Sequence, residues 1–216
     1  MTRGFSFPFF STGFWGLSGG APFFGIAEWG GWSLLLAAMD QGEGIIIRMT
    51  KLTDSSLIVL WCTEGAGLLK TVAKGARRPK SSFAGKLDLF VQAHLEWVPS
   101  RRSDLHTLRE VEVHEYREGL RKRYANMVLA AYFGQLLEQF VEREHAVPEL
   151  FDLLRRGLSH LETEEASRKG MLHYERELAR ALGVAQEGQS AGAALERAFG
   201  RMPKARQNCL DLLSAS

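Results

Sequence analysis

Five short β-rich segments crowded into about seventy-five residues constrain this chain more than any other feature. They lie at 45–49, 57–62, 68–73, 87–97 and 105–116. Ile45-Ile46-Ile47 opens the series as a β-branched run, and Val111-Glu112-Val113-His114 closes it with clean alternation. Between them stand turn signals: Asp54-Ser55-Ser56, Glu64-Gly65-Ala66-Gly67, and the polar stretch 99–104. Strands this short, joined this tightly, leave exposed edges unless the sheet closes on itself. The predicted fold is therefore a five-stranded OB-fold β-barrel, with an SH3-like barrel as the runner-up.

Past residue 118 the hydrophobic period changes from two to three and four. Tyr124, Met127, Val128, Ala131, Leu137, Phe140 and Val141 share one helical face, which predicts a helix over 121–145. Pro148 suits the first turn of a second helix, whose stripe is Leu150, Phe151, Leu153, Leu154, Leu158 and Leu161. Met171, Tyr174, Leu178 and Leu182 mark a third, closed by Gly183 as the residue past its end. A polar linker at 186–190 precedes two short helices at 191–199 and 205–213. The fold class is α+β: an OB-fold domain over 40–118, then an α-helical domain over 119–216.

Residues 1–39 do not share either pattern. They are rich in Phe, Trp and Gly, and Arg3 and Glu28 are their only charges. A secretory signal needs a basic start running into a compact apolar core. Here the interval is broken by Gly19-Gly20, Pro22, Glu28 and Gly30-Gly31, and the run at 32–39 is too short to span a bilayer. The segment reads as an atypical extension, with Met39 as the expected initiator and a poorly ordered tail as the alternative.

The third strand runs into a concentrated basic stretch. Residues 66–86 hold Lys70, Lys74, Arg77, Arg78, Lys80 and Lys86 without an acid, in a chain whose net charge is only +2. Gly75 and Gly85 bracket the loop, and Pro79 predicts an extended conformation at Arg78. Cations held apart in this way suit a polyanion, and a nucleic-acid backbone is the expected ligand. The plainer reading is a solvated loop with no specific partner. Lys70, Lys86 and Arg48 join the candidate surface from the adjoining strands. Phe83, Phe90 and Trp97 are candidates for stacking on bases, against the reading that they fill the barrel or anchor the loop.

Catalytic and metal signatures are missing. Gly65-Ala66-Gly67-Leu68-Leu69-Lys70-Thr71 lacks the Gly before Lys of a phosphate-binding loop, and it continues as a strand. His94, His106, His114, His145, His160 and His173 show no paired-ligand spacing, although His106 and His114 are expected on one strand face. Glu162, Glu164 and Glu165 read as the charged end of a surface helix. Cys62 and Cys209 form no disulfide framework or nucleophile context, which points to a reducing compartment and to buried thiols. The chain reads as a binding protein, not an enzyme.

The run Val72-Ala-Lys-Gly-Ala-Arg-Arg-Pro-Lys-Ser81, preceded by Asp54-Ser-Ser-Leu-Ile-Val59, resembles the N-terminal domain of the bacterial RecO recombination-mediator proteins. Glu175-Arg-Glu-Leu-Ala-Arg-Ala-Leu-Gly183 is similar to a segment of that family's helical domain. The resemblance covers about residues 44–183 and implies an OB-fold followed by helices. It further implies binding of single- and double-stranded DNA, annealing of complementary strands, and a mediator role without catalysis. The implied partners are RecR, single-strand-binding protein and, indirectly, RecA, in a bacterial cytoplasm near the nucleoid. By position it places Lys74, Arg77, Arg78 and Lys80 on the DNA-binding surface. Many relatives carry a four-cysteine zinc site after the Leu-Gly that matches Leu182-Gly183. Here residues 184–190 hold no cysteine, so zinc is expected to be absent. The C-terminal region is also short, and no residue is assigned to the surface for single-strand-binding protein. The residues alone leave two other readings open: an RNA-binding OB protein, and a protein-only adaptor.

Overall fold

Strand β1 (Asp40–Lys51) is buried on both of its faces at its centre, and the rest of the molecule follows from that. The structure is a computed structural model of the chain and describes residues 39–214, so the expectations for 1–38 lie outside it. β1 pairs antiparallel with β2 (Leu57–Thr63) on one side and with β4 (Gln92–Val98) on the other. β2 continues to β3 (Gly67–Ala73), which runs parallel to β5 (Leu105–Glu115), and β5 returns to β4. The order β1-β2-β3-β5-β4 closes the barrel, as an OB-fold requires.

A bulge explains how three consecutive isoleucines are all buried. Ile46 lies opposite Trp61 and Arg48 opposite Leu60, which leaves Ile47 as the extra residue. Ile46 points into the barrel with Val59, Trp61, Leu69, Val91, Leu95, Trp97, Leu108 and Val111. Ile45 and Ile47 point outward and join Leu60, Cys62, Leu68 and Phe90 in a second apolar cluster shared with the helices. Inside the barrel the indole N–H is satisfied, since Trp61 Nε1 donates to Thr71 Oγ1 at 2.9 Å.

The helices are α1 (Tyr124–Phe140), α2 (Pro148–Thr163), α3 (Arg168–Ala181), α4 (Ala191–Phe199) and α5 (Ala205–Ser214). Leu129, Phe133, Leu136, Leu137, Leu154, Leu158, Met171 and Leu178 supply their side of the shared cluster. Local chemistry sets the ends: Pro148 opens α2, and the Ser167 and Ser190 hydroxyls accept from Gly170 N and Ala193 N at the starts of α3 and α4. Asn126 fastens the α2–α3 connection, donating to Glu164 O at 2.8 Å and accepting from Ala166 N at 2.9 Å. Glu175, fully buried, accepts from Tyr132 Oη at 2.6 Å and Arg206 Nε at 2.8 Å, which joins α1, α3 and α5.

Arg117 closes the seam between barrel and helices. It is 2 % exposed and left-handed, with φ 52°. Its guanidinium reaches Glu115 at 2.7 Å and Gln92 at 2.8 Å on the barrel side, and Ser159 at 3.0 Å and Glu162 at 3.5 Å on α2. Burial lowers the pKa of Arg117; burial, with Glu115 next, raises that of Glu162. Glu162 is thus part of the seam and not simply the charged end of a surface helix.

Several boundaries differ from the sequence expectation. The fourth strand begins at Gln92 and not at residue 87, because Asp88 folds back to accept from Leu89 N at 2.8 Å and Phe90 is left-handed, with φ 66°. The first helix is shorter at both ends. A 3-10 turn, Glu118–Lys122, follows Arg117, and the chain leaves α1 after Phe140 to run beside β3, where Glu144 N donates to Leu68 O. Gly67 permits that approach, since a Cβ there would collide with the His145 backbone. His106 and His114 do not share a face. Arg109 is a bulge residue between Leu108, opposite Trp97, and Glu110, opposite Glu96, and it reverses the alternation of β5; His114 is a second one, between Val113, opposite Ala93, and Glu115, opposite Gln92. His106 is therefore buried, accepting from Ser100 N, while His114 is exposed beside Glu43.

Candidate nucleic-acid interface

The basic loop leaves β3 at Lys74 and crosses towards β1 and β4. It is not extended, as Pro79 suggested, but coiled in successive turns: Arg78 N donates to Gly75 O, Ser81 N to Arg78 O, Ala84 N to Ser81 O and Lys86 N to Phe83 O. None of these bonds needs an N–H from Pro79, so the proline is accommodated without loss of a donor. Gly75 and Gly85 do take the left-handed conformation, with φ 70° and 75°. Two bonds pin the loop to the β1–β2 turn, from Arg77 N to Ser55 O at 3.0 Å and from Gly75 N to Ser56 Oγ at 3.3 Å. Phe83 is buried in the barrel cluster, so the middle of the loop is anchored by an apolar side chain.

Lys74, Arg77, Arg78 and Lys80 are exposed on this pinned frame. None of the four has a carboxylate partner among the described residues. The other three candidates are used differently. Lys70 Nζ lies 3.1 Å from Asp104, which Arg143 also holds at 2.7 Å, and these hydrogen bonds keep the Asp104 carboxyl below its ordinary pKa. Arg48 is 3.0 Å from Glu138 of α1. Lys86 Nζ donates to Val111 O at 2.8 Å. In register, Arg48, Leu60 and Lys70 form one row across β1, β2 and β3, on the face that carries Leu60 into the helical cluster. The structure therefore places five of the seven residues on one loop, since Lys86 lies on it and not on an adjoining strand; four of the five are free of such contacts, and Lys86, Lys70 and Arg48 are held in structural ones.

Phe83, Phe90 and Trp97 are all buried, which assigns them to packing and not to base stacking. Arg109 adds an exposed cation that the strand pattern does not reveal. It is exposed at the β5 bulge, two positions past the last pair of the parallel ladder, Val72 with Thr107, as Lys74 is on the other chain segment just beyond the end of β3. A bulge leaves no mark in the alternation from which a strand is read, and only the pairing register reveals it. A groove of about 610 Å³ lies elsewhere, between α1, α2 and α3, over the stacked rings of Phe133 and Tyr174. Its rim mixes Arg156 and Lys169 with Glu164 and Glu165, so it does not extend the cationic loop. Among the described residues, no three His, Cys, Asp or Glu side chains are disposed to hold a metal ion.

Comparison with known proteins agrees with this architecture. Residues 39–117 match the family model for the recombination protein O N terminus, and residues 121–201 match that for its C terminus. The chain is 30% identical over 132 residues to the DNA repair protein RecO of Syntrophotalea carbinolica, covering 61% of this chain and 51% of that one. It is 29% identical over 143 residues to the protein of the same name from Idiomarina loihiensis, covering 66% and 60%. With that of a Cyanothece species it shares 34% over 127 residues, covering 59% and 43%. The chain thus spans about half the length of the curated relatives it matches. With its barrel matched by one family model and its helices by the other, the chain belongs to the recombination protein O family.

Proposed function

We propose that this chain acts as a recombination mediator in DNA repair, binding single- and double-stranded DNA through the loop that carries Lys74, Arg77, Arg78 and Lys80. The observation that carries the reading is four exposed cations, without carboxylate partners among the described residues, on a loop fixed at its start and in its middle. A fixed cationic frame neutralises phosphates and releases counterions without reading bases. Two complementary strands, each partly neutralised, then approach on one surface and anneal. Lys70, Lys86 and Arg48 contribute long-range charge from their structural positions. The role is one of binding, not catalysis, and its setting is the bacterial cytoplasm. Its partners are RecR and single-strand-binding protein, and together they load RecA.

Fluorescence anisotropy with labelled single-stranded DNA over a salt series tests the loop. If about four phosphates are neutralised, log affinity falls with log salt at a slope of about −3. Arg77→Ala with Arg78→Ala weakens binding and flattens that slope; unchanged affinity in a folded double variant would refute the reading. Capture of RecR and of single-strand-binding protein by this chain, after nuclease treatment, tests the partners. Competition between RNA and DNA of one sequence tests the choice of nucleic acid.

A further inference from the structure

The aromatic side chains offered by the sequence for base stacking are buried, but folding leaves two others on the surface beside cations. Tyr116 is 46 % exposed and Tyr124 is 77 % exposed, the highest value for any large apolar side chain described. They flank the segment that holds Arg121, Lys122 and Arg123, all exposed. This segment is joined to the basic loop. Arg121 Nη2 lies 2.6 Å from Asp88 Oδ2 and donates to Leu89 O, where the loop ends, and Arg121 Nη1 donates to Tyr116 O at 3.3 Å. Tyr116 also shares a shallow depression with Lys86.

Charge alone does not make this patch a site. Asp88 matches Arg121, Glu165 lies 3.4 Å from Arg123, Glu118 is exposed in the intervening turn, and Glu110 and Glu112 line the same depression as Tyr116. Lys122 has no carboxylate partner among the described residues. What distinguishes the patch is a pair of exposed rings at either end of a cationic segment that Arg121 ties to the end of the basic loop. Aromatic faces beside a backbone-tracking cationic surface are how proteins hold unpaired bases.

We infer that Tyr116 and Tyr124 are stacking platforms for the unpaired bases of a single strand whose phosphates run along the basic loop. This inference rests on the loop reading proposed above and adds a preference to it. A duplex keeps its bases stacked on one another and gains nothing from the tyrosines, so the patch selects single strands.

The test uses the full chain and three labelled probes of equal length: a thymidine oligonucleotide, its abasic counterpart and a duplex. Tyr124→Ala is expected to lower affinity for the thymidine probe about tenfold, and Tyr116→Ala by a similar or smaller factor. Neither should alter binding of the abasic probe or the duplex, and Tyr124→Phe should bind as the unaltered chain does. Thymidine affinity unchanged in both alanine variants overturns the inference and leaves the loop reading standing. An equal loss on the abasic probe overturns it as well, because the rings would then serve the fold. No binding of any probe by the unaltered chain sinks both readings together.

Discussion

The seam around Arg117 and the loop from Lys74 to Lys80 are both built on cations, and the fold treats them in opposite ways. Arg117 is buried, with partners on β4, β5 and α2. Taking a guanidinium out of water is costly, and the cost is offset only if hydrogen bonds and counter-charges surround it. The loop cations stay in water without carboxylate partners among the described residues, and only their backbone is fixed. Residue type does not separate these roles. The placement of acids does: Glu115 and Glu162 converge on Arg117, whereas no acid occurs anywhere in residues 66–86.

Removing the buried cation should have the largest effect. Arg117→Ala leaves Glu115, Glu162 and Gln92 without their shared donor; the acids left behind are partly in water, so the cost is expected at the lower end of the range for a broken buried pair, about 3 kcal/mol. Urea denaturation reads the loss. Adding Glu162→Gln to the same variant should recover part of it, because the stranded charge is gone. A stability unchanged by Arg117→Ala would mean that the apolar cluster alone holds the seam.

A smaller effect comes from buried groups that hold protons. Burial pushes the Cys62 thiol up from 9.0 to about 12. Burial also raises the Tyr174 phenol, and burial followed by Glu175 raises that of Tyr132. Each folded pKa lies above its unfolded value, so the contribution to stability is complete below the unfolded pKa and is lost as pH rises through it towards the folded one. The thiols act first, because burial, with Glu175 next, also pushes Cys209 up to about 11, and each costs about 1.4 kcal/mol per pH unit once its unfolded form is ionised. Unfolding curves between about pH 8 and 11 should show this decline, with the slope from about pH 9 to 10 roughly halved in Cys62→Ala, where the Cys209 thiol still contributes. An equally steep decline in that variant would assign the loss to other groups.

Much of the architecture was legible because it depends on period. Alternation located the strands, three- and four-residue spacing located the helices, and Gly183 and Pro148 marked ends that the structure keeps. The bulges at Ile47, Arg109 and His114 were not legible, since an extra residue is defined by the strand opposite it. Period alone puts His114 on the face of His106, and the bulge at Arg109 undoes that. The site was legible in part for the same reason. The acid-free run announced its exposed cations, but Glu138 and Asp104, which hold Arg48 and Lys70, come from distant segments. Phe83 lies inside the basic run, and nothing local shows that it turns inward.

The smallest change in stability is expected at the exposed loop. Arg77→Ala with Arg78→Ala should leave unfolding free energy within about 0.5 kcal/mol of the unaltered chain, as surface substitutions usually do. The reason is that the loop is held by groups these substitutions keep: Arg77 N on Ser55 O, Arg78 N on Gly75 O, and Phe83 in the barrel. The same variant should lose about two phosphate contacts, which reduces the salt slope for single strands by roughly 1.4. Stability and binding then separate cleanly, as they cannot at Arg117. A loss of stability above about 1 kcal/mol would show that the two arginines serve the fold after all. The loop would then be a second seam, and a change in its DNA affinity would carry no information about contact with phosphate.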